Sequence, residues 1–498
     1  MQTICLSYLY TKIPLSLLEI KIEVIKEIIV VYSAHFSLLI FCKYNCFFKN
    51  NHKILKKVIT DDISDNILYF YRNKFYVTLT QILEMRKKIL LVVLLGLVAP
   101  ALLFAQPYNI VIKGGYVIDP KNNIDGPMDI AVSAGKIALV ARNIDATGAL
   151  QVVDATGMYV TPGLIDIHYH VHDRPGGPNP IPADGFTFRN GITTVVDPGS
   201  TGWRTFPELK RRVIDFSQTR ILAFLNIVGE GLRGDPFEQN IKDMEVRLAV
   251  ACAREYPELI VGFKLAHFVG HDWTPILRAT EAGRITNMPF MIDLGSATPP
   301  LPLDSLFLHY LNPGDIYTHV YGGNNSIGSG GGRQAITLDG QMRPFMAAAR
   351  ERGIIFDLGH GGASFFYPVA IPATKAGFFP DVISTDLNSG AMNGSMKNIL
   401  ICMDKMMALG MDLKSVINAT TWKPAQVIKR TELGHLSVGC EADIAIFNFR
   451  TGKFGLVDGR GEKMETNKKL ECEMTIRAGR IVYDLNGIAN PIVAPRSR

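Results

Sequence analysis

Residues 160–172 read Val-Thr-Pro-Gly-Leu-Ile-Asp-Ile-His-Tyr-His-Val-His. A β-prone apolar run, entered through Pro162-Gly163, ends on alternate histidines. Side chains of an extended strand alternate between two faces, so His168 and His170 project to one side, with His172 on the same side. Imidazole is the commonest metal ligand among side chains, and two rings on one face can share a zinc-like ion. An H-x-H pair by itself is as readily an incidental surface or core pair, so its meaning depends on the rest of the chain.

Downstream, short apolar runs alternate with amphipathic helical stretches, the βα pattern of a parallel barrel. Strands are expected at 164–168, 193–196, 221–227, 260–264, 290–294, 316–319, 354–358 and 382–384. Eight is the number that closes such a barrel, and chemistry in barrels sits at the strand C-terminal ends. Those ends carry His168 and His170, Asp197, Asn226, Lys264, Asp293, His319, His360 and Asp386.

On either side of this middle the chain changes character. From Tyr108 it reads as short strands at 109–113, 116–118, 129–132 and 136–141, punctuated by Gly114-Gly115 and Ala134-Gly135. Similar text returns at 434–439, 442–447 and 474–483. The fold class read from this is α/β: an eightfold (β/α) barrel over 161–429, with a small β-sandwich assembled from both chain ends, 106–160 and 430–498.

Residues 1–84 are rich in Ile, Lys, Asn, Tyr and Phe and poor in Gly, unlike the rest. Met85-Arg-Lys-Lys then leads into an apolar run ending at Phe104-Ala105-Gln106, the pattern of a secretory signal peptide. Residues 1–84 read as an upstream stretch translated from a misplaced start, and 85–105 as the export signal, cut near Ala105. A membrane-associated leader or an uncleaved anchor are the alternatives. The exported protein would be periplasmic or extracellular and touch a membrane only through that signal.

Residues 1–105 hold thirteen of the 52 Lys/Arg and seven of the 46 Asp/Glu, leaving 39 of each. A neutral remainder has no basic stripe and argues against nucleic acid as a partner. Cys252, Cys402, Cys440 and Cys472 remain, with no C-x-x-C pair to suggest a cysteine zinc site or redox motif. A Cys440–Cys472 disulfide is left open. So is the oligomeric state, a homo-oligomer included.

Taken in order, several strings carry a family resemblance. They are Pro-Gly-Leu-Ile-Asp-Ile-His-Tyr-His, Val-Gly-Phe-Lys-Leu-Ala, Gly-Asp-Ile-Tyr-Thr-His, Phe-Asp-Leu-Gly-His-Gly-Gly, Ile-Ser-Thr-Asp-Leu and Gly-His-Leu-Ser-Val-Gly-Cys-Glu-Ala-Asp-Ile-Ala-Ile-Phe. Over about 108–485 the chain resembles the amidohydrolase superfamily, and within it the dihydroorotase-like amidohydrolase/deacetylase metallohydrolases. The resemblance implies two divalent metal ions, zinc by preference. His168 and His170 would hold one ion, His319 the second, Asp386 the first, and Lys264 both. A lysine ammonium has three donors and no acceptor, so Lys264 would bind metal only after carboxylation to a carbamate, which asks for a depressed pKa.

One position departs from the family pattern: the fifth strand carries Asp293 where histidine is expected. Asp293 is read as a ligand through oxygen, the alternative being a carboxylate behind the ligands and a weak second site. His360 resembles the family's seventh-strand histidine and is expected to contact substrate. His172, Asp173 and Arg174 open the loop after the first strand, where Arg174 would suit a substrate carboxylate or stand as a solvated loop residue. His267, His271, Asn388 and the 328–332 glycine run lie on similar loops, the glycines without a phosphate-binding pattern.

The implied activity is hydrolysis of an amide or cyclic amide of a small molecule by a metal-bridging hydroxide, in a deacetylase-like manner. Asp386 would be both ligand and general base. An esterase acting on acylated hydroxy acids would use the same residues. A non-catalytic binding relative is the reading from another class, against which Lys264 and Asp386 together argue.

Overall fold

In the computed structural model, residues 84–89, 108–172, 179–293, 301–322, 337–338 and 341–491 are described. Most of residues 1–84 and of the segment expected as an export signal, together with Asp173, Arg174 and the 328–332 glycines, lie outside these residues. Gln106–Arg498 forms one compact unit.

The middle of the chain lays down seven parallel strands whose order in the sheet follows the order in the chain: Leu164–Asp166, Ile192–Gly202, Arg220–Asn226, Ile260–Ala266, Phe290–Asp293, Ile316–Tyr317 and Ile355–Phe356. The eighth expected strand is not a regular one. Residues 382–387 instead make single parallel bridges, Val382 to Asp357 and Leu387 to Tyr169, and these link the seventh strand to the end of the first. Asp166 reinforces that closure by accepting hydrogen bonds from the Thr385 backbone N–H at 3.1 Å and its hydroxyl at 2.6 Å. Burial raises the Asp166 pKa to about 7.

Alternation along the strands makes two cores. Ile165, Val196, Leu222, Phe224, Val261, Met291 and Ile316 belong to one buried cluster. Leu164, Val195, Ile221, Ala223, Leu225 and Phe263 belong to another, together with helix residues such as Ala249, Ala253, Ile276 and Ala279. Strands buried on both faces read as continuous apolar runs, which is why they were legible in sequence.

Both chain ends build one eight-stranded sheet. Ile110–Asp119, Ile124–Ser133, Lys136–Ala141, Gln151–Asp154 and Tyr159–Pro162 come from the front, and Ile444–Val457, Lys463–Arg477 and Arg480–Asp484 from the back. The ends meet where Tyr159–Pro162 pairs antiparallel with Ile444–Val457. Val117, Ile130, Val160, Ile444, Ile446, Met474 and Ile476 form its core. The Gly114-Gly115 break expected between two strands is a bulge inside one strand. Gly114 has φ +71°, and a Cβ there would lie 2.6 Å from the Thr156 hydroxyl, so glycine suits both its conformation and its surroundings. All four described cysteines are free, Cys440 and Cys472 included.

The sheet is tied to the barrel through Asp443. Its carboxylate accepts from Arg220 at 2.8 Å, Arg477 at 3.2 Å and the Ala478 backbone N–H at 2.8 Å. The 160–172 stretch is therefore the seam of the sheet at its start and the wall of the barrel mouth at its end.

Candidate active site

At the C-terminal ends of the barrel strands lies a cavity of about 210 Å³. It is lined by all six residues expected from the sequence as metal ligands: His168, His170, Lys264, Asp293, His319 and Asp386. The first strand stops at Asp166, yet the histidines meet as strand alternation predicted. Tyr169 N–H donates to Val196, His170 N–H to Leu387, and Leu387 N–H back to His168, so the chain stays extended past its last regular residue. The His168 and His170 ring centroids are 5.7 Å apart, and those of His168 and His319 5.3 Å.

Asp386 Oδ1 faces His170 Nε2 at 3.0 Å and His168 Nε2 at 3.4 Å. Across the cavity, Asp293 Oδ2 faces His319 Nε2 at 3.3 Å and His267 Nε2 at 3.2 Å. Lys264, fully buried on the fourth strand, lines the same cavity without a hydrogen-bond partner on Nζ. Its neighbour Gly199 has φ +89°, and a Cβ there would come within 2.8 Å of the Lys264 Cβ. The second-strand extension can pass the lysine stem only as glycine.

His168 and His319 are braced from behind. His168 Nδ1 lies 3.0 Å from the Thr318 hydroxyl, which donates to Asp357, as does Ser384. His319 Nδ1 lies 2.5 Å from the Gly359 carbonyl, leaving Nε2 toward the cavity. Such outer bonds fix ring orientation at metal sites. His267, His319 and Asp386 also hold φ of +55°, +61° and +50°. Non-glycine residues rarely adopt this region, and strain of this kind gathers where a fold over-determines a site.

The charges are shaped by burial. Burial holds the His168 ring well below its usual pKa, helped by Lys264, His319 and His170, so it stands neutral, as a ligand must. Burial also lowers Lys264, against the pull of Asp293, Asp386 and other carboxylates. Burial pushes the Asp293 carboxyl up, but His319 and His267 outweigh it and hold it well below the usual range. The donor atoms of His168, His319 and Asp386 lie within 4.8 Å of one another. With the unpartnered Lys264 Nζ and Asp293 Oδ1, this donor set fits divalent metal.

Two expectations change. His360 does not line the cavity: it is fully buried, with Nε2 2.6 Å from Lys405 Nζ and Nδ1 2.8 Å from the Gly361 carbonyl, its ring stacked on Phe365. Both of its ring nitrogens are engaged inside the core. It anchors the following loop instead, whose Gly362, Ala363 and Ser364 do line the cavity. His172 is buried but not among the cavity residues. Conversely, His267 was noted only as a loop residue, and Glu238, 2.9 Å behind it, carried no sequence signal.

The profile of the amidohydrolase family matches residues 367–482. A protein of Brucella anthropi named a deacetylase is 32% identical over 355 residues, covering 70% of this chain and 86% of its own. Crystal structures of an adenine deaminase and a dihydroorotase superpose with TM-scores of 0.68 and 0.66. They are 27% and 28% identical, cover 76% and 75% of this chain, and are themselves covered over 100% and 99% of their length.

Proposed function

This chain belongs to the amidohydrolase family, and on that premise we propose that the barrel mouth is a two-metal hydrolase centre cleaving a C–N bond, amide or cyclic amide, in a small molecule. The observation that carries the reading is the convergence of His168, His170, Lys264, Asp293, His319 and Asp386 on one cavity. His168, His170 and Asp386 would hold one ion and Asp293 and His319 the other. Lys264, once carboxylated, would reach both. Divalent ions so placed supply Lewis acidity and lower the pKa of water toward neutrality.

The remaining work falls to the chain. Asp386, on a backbone held in the left-handed region, is the proton carrier. It takes a proton from the attacking water as the new C–O bond forms, and returns it to the nitrogen as the C–N bond breaks, so charge and atoms balance. A cavity of about 210 Å³ suits a small acyl group, and the deacetylase relative supports acetyl as the group removed. Arg174 is proposed as the reader of a substrate carboxylate, and export through residues 85–105 as the route to the cell envelope.

The test is metal per chain by elemental analysis of protein begun at Met85 and purified without chelator, alongside Lys264→Ala, followed by a panel of acetyl-amides and acetyl-esters. Two ions in the parent, lost or halved in the variant, with amide turnover, is the expected result. Absence of bound metal after reconstitution with zinc or manganese would refute the hydrolase reading. Turnover of esters alone would replace amide cleavage with deacylation of oxygen esters.

A further inference from the structure

A histidine ligand presents one nitrogen from a rigid ring, whereas a carboxylate on a short stem must be held from outside before it presents a given oxygen. The fifth strand ends in Asp293, and the structure holds that carboxylate in an unusual way. Its Oδ2 lies 3.3 Å from His319 and 3.2 Å from His267, while Oδ1 is buried with no hydrogen-bond partner. His267 in turn has Nδ1 2.9 Å from Glu238 Oε2. Glu238 is buried and pinned by the Gly234 backbone N–H at 2.6 Å.

The backbone of His267 is placed as firmly as its ring. Its carbonyl accepts from Gln239 Nε2 at 2.9 Å, its N–H donates to the Asp293 carbonyl at 3.2 Å, and Gln239 Oε1 takes the Val269 N–H at 2.9 Å. These bonds hold the residue at φ +55°, a conformation that would otherwise relax. With Glu238 on Nδ1, the Nε2 edge of the ring is turned to Asp293 Oδ2 at the cavity wall.

We infer that His267, braced by Glu238, is a positioning residue that holds Asp293 Oδ2 so that Oδ1 serves the second metal ion in place of the missing fifth-strand histidine. The inference rests on reading the cavity as a two-metal centre. Its specific content is dependence: His267 matters because residue 293 is aspartate.

The experiment measures zinc affinity by competition with a chromogenic chelator, and zinc per chain, for the parent, His267→Ala, Glu238→Gln, Asp293→His and the His267→Ala/Asp293→His double variant. Thermal unfolding of each metal-free protein serves as the folding control. His267→Ala is expected to weaken the second ion 10- to 100-fold, the usual effect of removing an orienting partner, and to spare the first. Glu238→Gln should act in the same direction and less. In the Asp293→His background, removing His267 should leave affinity unchanged. Equal loss in both backgrounds would make His267 a ligand itself and overturn the inference, as would unchanged affinity in His267→Ala and Glu238→Gln. A parent that binds no zinc would instead bring down the two-metal reading on which the inference stands.

Discussion

Replacing Lys264 by methionine is expected to make the metal-free protein more stable while abolishing the proposed two-metal binding. Lys264 is 1% exposed, and its Nζ has no hydrogen-bond partner. Burying a polar group unpaired costs about 1–3 kcal/mol in mutational data, and an unpaired charge more. Asp293, Asp386, Asp357 and Asp197 offset part of this through their charge, which leaves a net penalty of about 1–3 kcal/mol. Methionine keeps the length of the stem and removes the ammonium, so the penalty goes with it.

The sign with pH follows from the depressed pKa. Between the folded value and the ordinary 10.5, the unfolded chain binds the proton that the folded chain has lost, so parental stability rises with pH and the variant's advantage shrinks. Urea denaturation in chelator at pH 7 and pH 9.5, with metal per chain measured before chelation, reads all three effects. A metal-free Lys264→Met that is less stable than the parent, a gap that widens with pH, or retention of two ions would each refute the reasoning.

Three further outcomes are expected. Asp386→Asn should lower kcat by about 10²–10⁴-fold, the usual worth of a positioned acid–base group, with KM changed far less in steady-state assays. Asp404, buried and raised to about 7 chiefly by loss of hydration, holds a proton that the unfolded chain releases near pH 4, so stability falls as pH rises from 4 to 7. Asp404→Asn should therefore gain at most about 4 kcal/mol at pH 8 and almost nothing at pH 4 in denaturant melts; an equal effect at both pH values would contradict the assignment. Asp443→Ala strips partners from Arg220, Arg477 and the Ala478 N–H and should cost about 2 kcal/mol in denaturant unfolding. A loss under 0.5 kcal/mol would show that this tie between sheet and barrel is dispensable.

The sequence by itself determined the barrel and the donor set. Strands buried on both faces must be continuous apolar runs of short length, so seven of the eight could be read off, and a polar residue at the end of such a run has only the barrel mouth to face. The family resemblance then assigned roles to His168, His170, Lys264, His319 and Asp386, all of which line one cavity. The sequence also marked Asp293 as the departure from pattern.

Only the tertiary structure decided what depends on contacts between distant residues. That 382–387 closes the barrel through bridges and Asp166 rather than as a regular strand was invisible locally, because the partners that complete the closure, Tyr169 and Asp166, lie more than 200 residues away. His360 has the chemistry of a substrate contact, yet Lys405 and Phe365 hold it inside the core, a choice made by packing. Glu238 meets His267, and His267 meets Asp293, from segments distant in the chain, and such a pairing leaves no period, spacing or run in one chain. Residue type sets what a side chain can do; which neighbour it does it with is settled by where the fold brings distant segments together.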